Sequence, residues 1–471
     1  GGGGRPDGEP VEIEWITDQA AAVVNGVRGY LPSGKKQRLN YTHMAMLEEM
    51  PDGKLLLAFQ GASVVEGGTD QRVWWVRSLD TEGTQWSHPA TFPDGYREAG
   101  QWSPVLHYCR AKRRMWLFFA ESSPRCVRRA LNKAAHGEKG EVHMPSRYSV
   151  GGNIKASYLD LTDSTADWTK PKTIYHMKDD FNVPKVVANK PAVLSTGEWV
   201  LPFWRQKSWM VCTTKDRHNS AGVLISKDRG SHWEAFGDLH LQYMTHWIIE
   251  ASVVELRNHT LLMVLRSTEG FIYKSTSVNR GHNWTDPAPL SIPNPDSKIS
   301  AIRFTEKNAE ELNIGDIALA FNDHAREFTG MQKQRGGDAK QRDHLVVTIS
   351  QDDGNTWTDV ARLDPEVKPR GMLFHYPTML VRRDGTLLVA YSRTYTDVDR
   401  RARANPFIED GLWIAKIPPA LLRPGRPGSK GPRLSIDPSA CHSSHCLKNR
   451  APPASDGWMK GAKKAEEAEE A

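Results

Sequence analysis

The pattern Ser-x-Asp-x-Gly-x-x-Trp occurs twice, as Ser226, Asp228, Gly230, Trp233 and as Ser350, Asp352, Gly354, Trp357. Ser277, Asn279, Gly281, Trp284 repeat it with an amide for the acid. Ser78, Asp80, Gly83, Trp86 repeat it with one extra residue, and Asp160 to Trp168 reads as a decayed copy. Each part has a local reason. The acid accepts backbone N–H bonds inside a hairpin turn, the glycine permits positive φ, and the tryptophan closes over the turn as an apolar plug. These are structural turns, remote from chemistry. Their recurrence marks a repeated supersecondary unit.

A second repeat is independent of the first. Six times an apolar strand runs into a polar turn and then into a second apolar run: at Asp52-Gly53 before Leu55 to Phe59, at Lys112 before Met115 to Phe119, and at Gly197 before Trp199 to Phe203. The other three turns are at Asn258, Gly315 and Asp384-Gly385, the last leading into Leu387 to Tyr391. Near-continuous apolar runs of this length belong to strands buried on both faces. Six such hairpins predict an all-β, six-bladed β-propeller. A pair of β-sandwiches needs no turn recurring after successive four-stranded units, and radial closure removes the edges a flat array would expose.

Composition agrees. Sixteen Trp with 38 Gly and 29 Pro in 471 residues suit many short strands and tight turns. The expected organisation is an N-terminal extension over 1–35, the propeller over 36–417 and a Pro/Gly/Lys-rich, disordered tail over 418–471. Arg125 to Val150, long, basic and without strand alternation, reads as an insertion in the second blade. Residues 325 to 341 read as a polar loop. The net charge is only +6, and residues 421–471 carry half of it, with nine Lys/Arg against six Asp/Glu, so nucleic acid is not implied.

No apolar stretch approaches the ~20 residues of a membrane span. A start at Gly1 without a signal-like segment leads to the expectation of a soluble, processed chain. Five cysteines (Cys109, Cys126, Cys212, Cys441, Cys446) are too few for a disulfide scaffold, with Cys441 and Cys446 spaced to pair locally. Sequons at Asn40, Asn258 and Asn283 lead to the expectation of a secreted or cell-surface protein. Zinc-binding His-Glu-x-x-His, Cys-x-x-Cys and phosphate-loop motifs are missing from the sequence, so no metal and no cofactor is expected. The Cys441-to-Cys446 segment, with His442 and His445, has metal-capable side chains but sits in the tail.

With its Asp boxes and six hairpins, the chain resembles the sialidase superfamily, in particular its BNR-repeat sialidase-like branch, across roughly residues 40 to 416. Asn189-Lys190-Pro191 with Gly197 to Pro202, Glu250 to Leu256 with Leu261 to Arg266, and Tyr376-Pro377-Thr378 with Asp384 to Tyr391 carry the resemblance. It implies four working parts: an arginine triad gripping a carboxylate, a tyrosine nucleophile, a glutamate that activates it, and an aspartate acid/base. A guanidinium meets a carboxylate through paired charge-assisted bonds, and a neutral tyrosine avoids the repulsion a carboxylate nucleophile would meet beside an anionic sugar.

Carried over residue by residue, the resemblance implies Tyr376 as nucleophile, Glu250 as its activator, Arg266 and Arg342 as two of the triad, and Asp70 as acid/base, with Glu66 in the same loop as its rival. Asp343 is a further acid beside Arg342. The first arginine is missing: Tyr41-Thr42-His43-Met44 stands where the family has Tyr-Arg-Ile-Pro, with Thr42 at the arginine position. Arg72 is a candidate replacement, and His43 a candidate acid or base. The expected function is a sialidase-like glycoside hydrolase removing a terminal acidic sugar from a glycan or glycoconjugate by a retaining mechanism. The alternatives are a lectin-like propeller without turnover and a uronic-acid glycan hydrolase or lyase using His43. Oligomeric state is left open.

Overall fold

A computed structural model of the chain describes residues 21–24, 28–30 and 35–423, apart from 93–98, 129–130, 135–140, 145, 207–218, 244–245, 306–311, 313–315, 325–341, 365–371 and 396–410. Six antiparallel sheets follow one another as blades around a central channel. Their innermost strands are Tyr41–Glu49, Gln101–Cys109, the broken pair Lys185–Val187 and Ala192–Val193, Ile248–Glu255, Ser300–Arg303 and Met372–Val381. Five of the six predicted hairpins are turns between the first and second strands of a blade; the sixth, at Gly315, lies outside the described residues, between strands Ser300–Arg303 and Ile317–Asn322. The second strands explain the apolar runs: Leu55–Ala62, Trp199–Arg205 and Ile317–Asn322 are buried along their whole length, because neighbouring blades cover both faces.

The Asp boxes link the third strand of a blade to its outer edge. In the third blade Gly230 N–H donates to Ser226 Oγ at 2.8 Å, and the N–H groups of Ser231 and His232 both donate to Asp228 Oδ1 at 2.9 Å. Trp233 Nε1 then donates to the Gly230 carbonyl at 3.1 Å. In the fifth blade Gly354 has φ +85°, which favours glycine, and a Cβ there would lie 2.9 Å from the side-chain methyl of Leu262 in the preceding blade. The boxes are therefore also contacts between blades. The decayed copy occupies the same place in the second blade, with Asp160 bonded to Thr162 and Trp168 buried.

Three parts of the predicted organisation change. Strand Ala21–Val24, inside the expected N-terminal extension, pairs with Gly411–Ile417 and completes the sixth blade as its outer strand, so the two ends of the chain close the ring. The 3-10 turn Pro419–Leu422 buries Leu422 against the last two blades, past the expected boundary at 417. The 125–150 insertion does lie in the second blade, but it pairs with itself as Val127–Arg128 with Arg147–Tyr148 and Leu131–Ala134 with Glu141–Met144. The polar loop 325–341 and the tail beyond 423 lie outside the described residues. Among the described residues no helix is long and apolar enough to cross a membrane.

Candidate active site

Four inner strands carry the same irregularity. Their ladder shifts register at His43/Met46, Trp102/Val105, Ile249/Ser252 and His375/Thr378, and at each shift one non-glycine residue takes a left-handed backbone: Met44 (φ 59°), Ser103 (49°), Glu250 (54°) and Tyr376 (59°). Such a bulge re-aims a side chain, and non-glycine residues adopt this backbone only when their surroundings hold it. In the fourth and sixth blades the re-aimed side chains are those of Glu250 and Tyr376.

The two meet on one nitrogen. Arg266, on strand Leu261–Ser267, donates through Nη1 to Glu250 Oε2 and to the Tyr376 hydroxyl, both at 2.8 Å. Its Nε donates to Asp296 Oδ1 at 2.7 Å, and Trp247 Nε1 reaches the same oxygen at 3.3 Å. Arg342 donates through Nη2 to the Asp296 carbonyl at 2.8 Å, and its guanidinium carbon lies 5.3 Å from the Tyr376 ring centroid. His43 packs against Tyr376 with ring centroids 4.2 Å apart and the planes tilted by 53°, and its Nδ1 lies 2.8 Å from Ser392 Oγ. The structure thus gathers Tyr376, Glu250, Arg266, Arg342 and His43 at one mouth. Met44, Trp102, Trp204 and Ile249 form an apolar wall against which Trp247 and Tyr376 pack.

Electrostatics divide the roles. Burial, together with Glu250 and Glu66 and against Arg266 and Arg342, pushes the Tyr376 phenol up to about 12, so it is neutral at rest. Burial opposes the charge on Arg266, but Asp296 and Glu250 more than offset this and raise its pKa further. Burial and then the cations Arg342, Lys298 and Arg266 pull His43 down to about 3. His43 is therefore neutral near pH 7, bonded to Ser392 and packed against Tyr376, which gives no support to the acid role read for it from the sequence. The pleat sends Thr42 to the opposite face from Tyr41 and His43, so His43, not Thr42, fills the space beside Tyr376.

The two loop carboxylates are placed differently. Asp70 is turned into its own loop, where Oδ2 accepts from Ser63 N–H at 2.9 Å and Gln37 Nε2 at 3.0 Å. Glu66 faces the mouth instead. Gln60 Nε2 donates to Glu66 Oε1 at 3.2 Å and to the Tyr41 hydroxyl at 2.9 Å, while Gln60 Oε1 accepts from Ser103 N–H at the neighbouring bulge. Glu66 is itself exposed to solvent, and the partial desolvation of its carboxyl by the surrounding protein raises its pKa above the ordinary value. Arg72 starts the third strand of the first blade opposite Gly61, two strands out from the inner one.

Asp296 escaped sequence reasoning; the Asn294-Pro295 turn signal before it marked a loop and nothing more. So did His324 and His344 on the rim of the fifth blade, whose donor atoms and that of Asp343 lie within 4.8 Å of one another and whose residue types suit a divalent cation. His324 Nε2 and Asp343 Oδ1 are 2.6 Å apart, and Arg362 contacts His344. Of the cysteines, Cys109 is free and buried, and Cys126 is disulfide-bonded.

A six-bladed, Asp-box propeller with arginine, tyrosine and glutamate convergent at one mouth is a propeller of the sialidase type. The chain belongs to the BNR repeat-like domain family, whose model matches residues 53–389. Among solved structures it is similar to a Trypanosoma rangeli sialidase, at 13% identity over 85% of this chain and 60% of that one, with a TM-score of 0.56. It is also similar to a leech intramolecular trans-sialidase, at 15% identity over 82% of this chain and 69% of that one (TM-score 0.55). A Dyadobacter fermentans protein of unknown function matches at 14% identity over 84% of this chain and 98% of that one (TM-score 0.54). At these identities the likeness is one of fold, and the chain spans 60% of the trypanosomal enzyme, less than two thirds of its length. No functionally curated protein matches the chain.

Proposed function

We propose that this protein is a glycoside hydrolase that removes a terminal acidic sugar from a glycan by a retaining mechanism. The observation that carries the reading is the single Arg266 nitrogen shared by the Tyr376 hydroxyl and the Glu250 carboxylate. In the first step Glu250 takes the phenol proton, the Tyr376 oxygen bonds to the anomeric carbon, the glycosidic C–O bond breaks, and Glu66 gives a proton to the leaving oxygen. Water, deprotonated by Glu66, then displaces the tyrosine, which recovers its proton. A raised carboxyl pKa suits Glu66 to the donor role better than Asp70, which is committed to its loop.

The grip on the sugar's acid differs from that of a three-arginine site. Arg266 already faces two carboxylates, so a substrate carboxylate falls chiefly to Arg342. That same saturation favours the second reading, a lectin-like propeller that binds sugar against the Trp247 wall without cleaving it. The neutral, Ser392-held His43 gives no support to a uronide-specific role for that residue. A secreted or cell-surface location is part of the proposal, supported by the Cys126 disulfide and by exposed sequons at Asn258 and Asn283.

The test is release of a fluorogenic aglycone from sialosides and from uronides, by the wild type and by Tyr376→Phe, with glycan-array binding in parallel. Release by the wild type and at least a hundredfold loss in the variant is expected. Binding without release from either substrate set would overturn the enzymatic reading and leave the lectin.

A further inference from the structure

The bulges at Glu250 and Tyr376 break the ladder and leave backbone carbonyls without their usual strand partners. Such groups, when buried, need another donor. Two side chains supply it. Asn189, between the two inner strand pieces of the third blade, donates through Nδ2 to the carbonyls of Glu250 and Ala251 at 3.0 Å and of Ile299 at 3.2 Å. Lys298, just before strand Ser300–Arg303, donates through Nζ to the carbonyl of Pro377, next to Tyr376, at 2.7 Å. It also donates to Asn189 Oδ1 at 3.0 Å, which joins the two into one unit. Both are almost fully enclosed, Asn189 at 2% exposure and Lys298 at 1%.

The unit spans four blades. Asn189 comes from the third, the Glu250 and Ala251 carbonyls from the fourth, Lys298 from the fifth and Pro377 from the sixth. Thr378 carries the chain of contacts on to the first blade through a 2.5 Å bond to the Ala45 carbonyl. On the side away from the mouth it borders a cavity of about 360 Å³ lined in part by Asn189, Ser252, Ser300 and Thr378. Burying an ammonium is unfavourable unless something requires it. Burial brings Lys298 down to about 7, against the pull of Glu250. An apolar residue here would avoid that penalty, but it would leave the Pro377 carbonyl and Asn189 Oδ1 without their donor.

We infer that Asn189 and Lys298 are positioning residues that together hold Glu250 and Tyr376 in their left-handed backbones, and so set the contact of both side chains with Arg266. The catalytic part of the inference rests on the proposed hydrolase reading; the structural part does not. The two residues have separable effects. Loss of the Lys298 donor releases the Tyr376 side of the site, and loss of the Asn189 amide releases the Glu250 side.

The test uses Lys298→Met, Lys298→Gln and Asn189→Asp, each crystallised and each assayed on whichever glycoside reporter the wild type cleaves. In Lys298→Met, Tyr376 is expected to leave positive φ and its hydroxyl to move out of bonding distance of Arg266. kcat should fall about a hundredfold with KM changed less than about threefold, since a misplacement near 1 Å is enough for this. Lys298→Gln keeps one donor and should restore part of the loss; it also stands in if the methionine variant does not fold. Asn189→Asp should shift Glu250 while Tyr376 stays. In a Tyr376→Phe background Lys298→Met should cost nothing further. A crystal structure of Lys298→Met with Tyr376 still at positive φ and bonded to Arg266 would overturn the inference, as would one of Lys298→Gln in which the amide has lost the Pro377 carbonyl and Tyr376 has not moved. So would a rise in KM at unchanged kcat. A wild type that cleaves no reporter defeats the hydrolase reading alone, and the crystal structures still decide the positioning claim.

Discussion

Replacing Arg266 by methionine tests the electrostatic centre of the site without any assumption about substrate. The guanidinium, Glu250 and Asp296 side chains are 7%, 5% and 2% exposed, and the two contacts are 2.8 and 2.7 Å. Removing the cation strands two buried carboxylates about a guanidinium's width apart. Breaking one buried pair this way costs about 3–5 kcal/mol. Two stranded partners push toward the upper end, while the Trp247 bond to Asp296 and water at the mouth pull back, so about 4 kcal/mol is expected at pH 8.

The sign of the pH dependence follows from proton uptake. A proton on either stranded carboxylate removes the uncompensated charge, so the variant's native state binds more protons than its unfolded state, and stability falls as pH rises. One extra proton is worth about 1.4 kcal/mol per pH unit, so the deficit at pH 5.5 should be at least ~1.5 kcal/mol smaller than at pH 8. Urea unfolding followed by tryptophan fluorescence at the two pH values measures both quantities. The triple variant Arg266→Met, Glu250→Gln, Asp296→Asn, which has no stranded charge, should recover most of the loss. A deficit below about 1 kcal/mol, or one equal at both pH values, would refute the picture of a buried, mutually dependent trio.

Glu66→Gln should lower kcat about a hundredfold on glycosides with poor leaving groups and much less on activated aryl glycosides, whereas Asp70→Asn should change it less than about threefold; the reverse ranking in a leaving-group series would return the acid role to Asp70. Asp228→Ala removes the acceptor of two turn N–H groups and should cost about 1–2 kcal/mol at pH 7 in urea unfolding. Burial pushes the Asp228 carboxyl up, but its bonds from His232, Ser226 and Ser231 hold it at about 2. Its contribution is therefore complete above about pH 4 and lost as pH falls through 2, so the difference between the two proteins should vanish in acid. Gly354→Ala combines a left-handed backbone with a Cβ 2.9 Å from Leu262 and should destabilise by about 1–2 kcal/mol. Gly197→Ala, with φ +98° and open space around it, should show the backbone cost alone, about 1 kcal/mol; equal effects at the two sites would mean that the box glycine is not a contact between blades.

What could be read from the sequence was local. An Asp box closes its turn-forming side-chain hydrogen bonds within eight residues, as Ser350 to Trp357 does, and a hairpin such as Asp384-Gly385 needs only its own turn, so both leave patterns that can be counted along the chain. Tyr376, Glu250, Arg266 and Arg342 were legible only through resemblance, because nothing in their own neighbourhoods distinguishes them from strand residues. Tertiary structure decided the rest. Asp296 became a site residue because the fifth blade carries it against an arginine thirty positions earlier, and Lys298 because a carbonyl seventy-nine positions later lacks a donor. Glu66 takes the place of Asp70 in the proposed mechanism because of how one loop turns, a difference of a few torsions that composition does not encode. Strand Ala21–Val24 joined the last blade because a closed ring needs its ends paired, which is a property of the whole circle and not of those four residues.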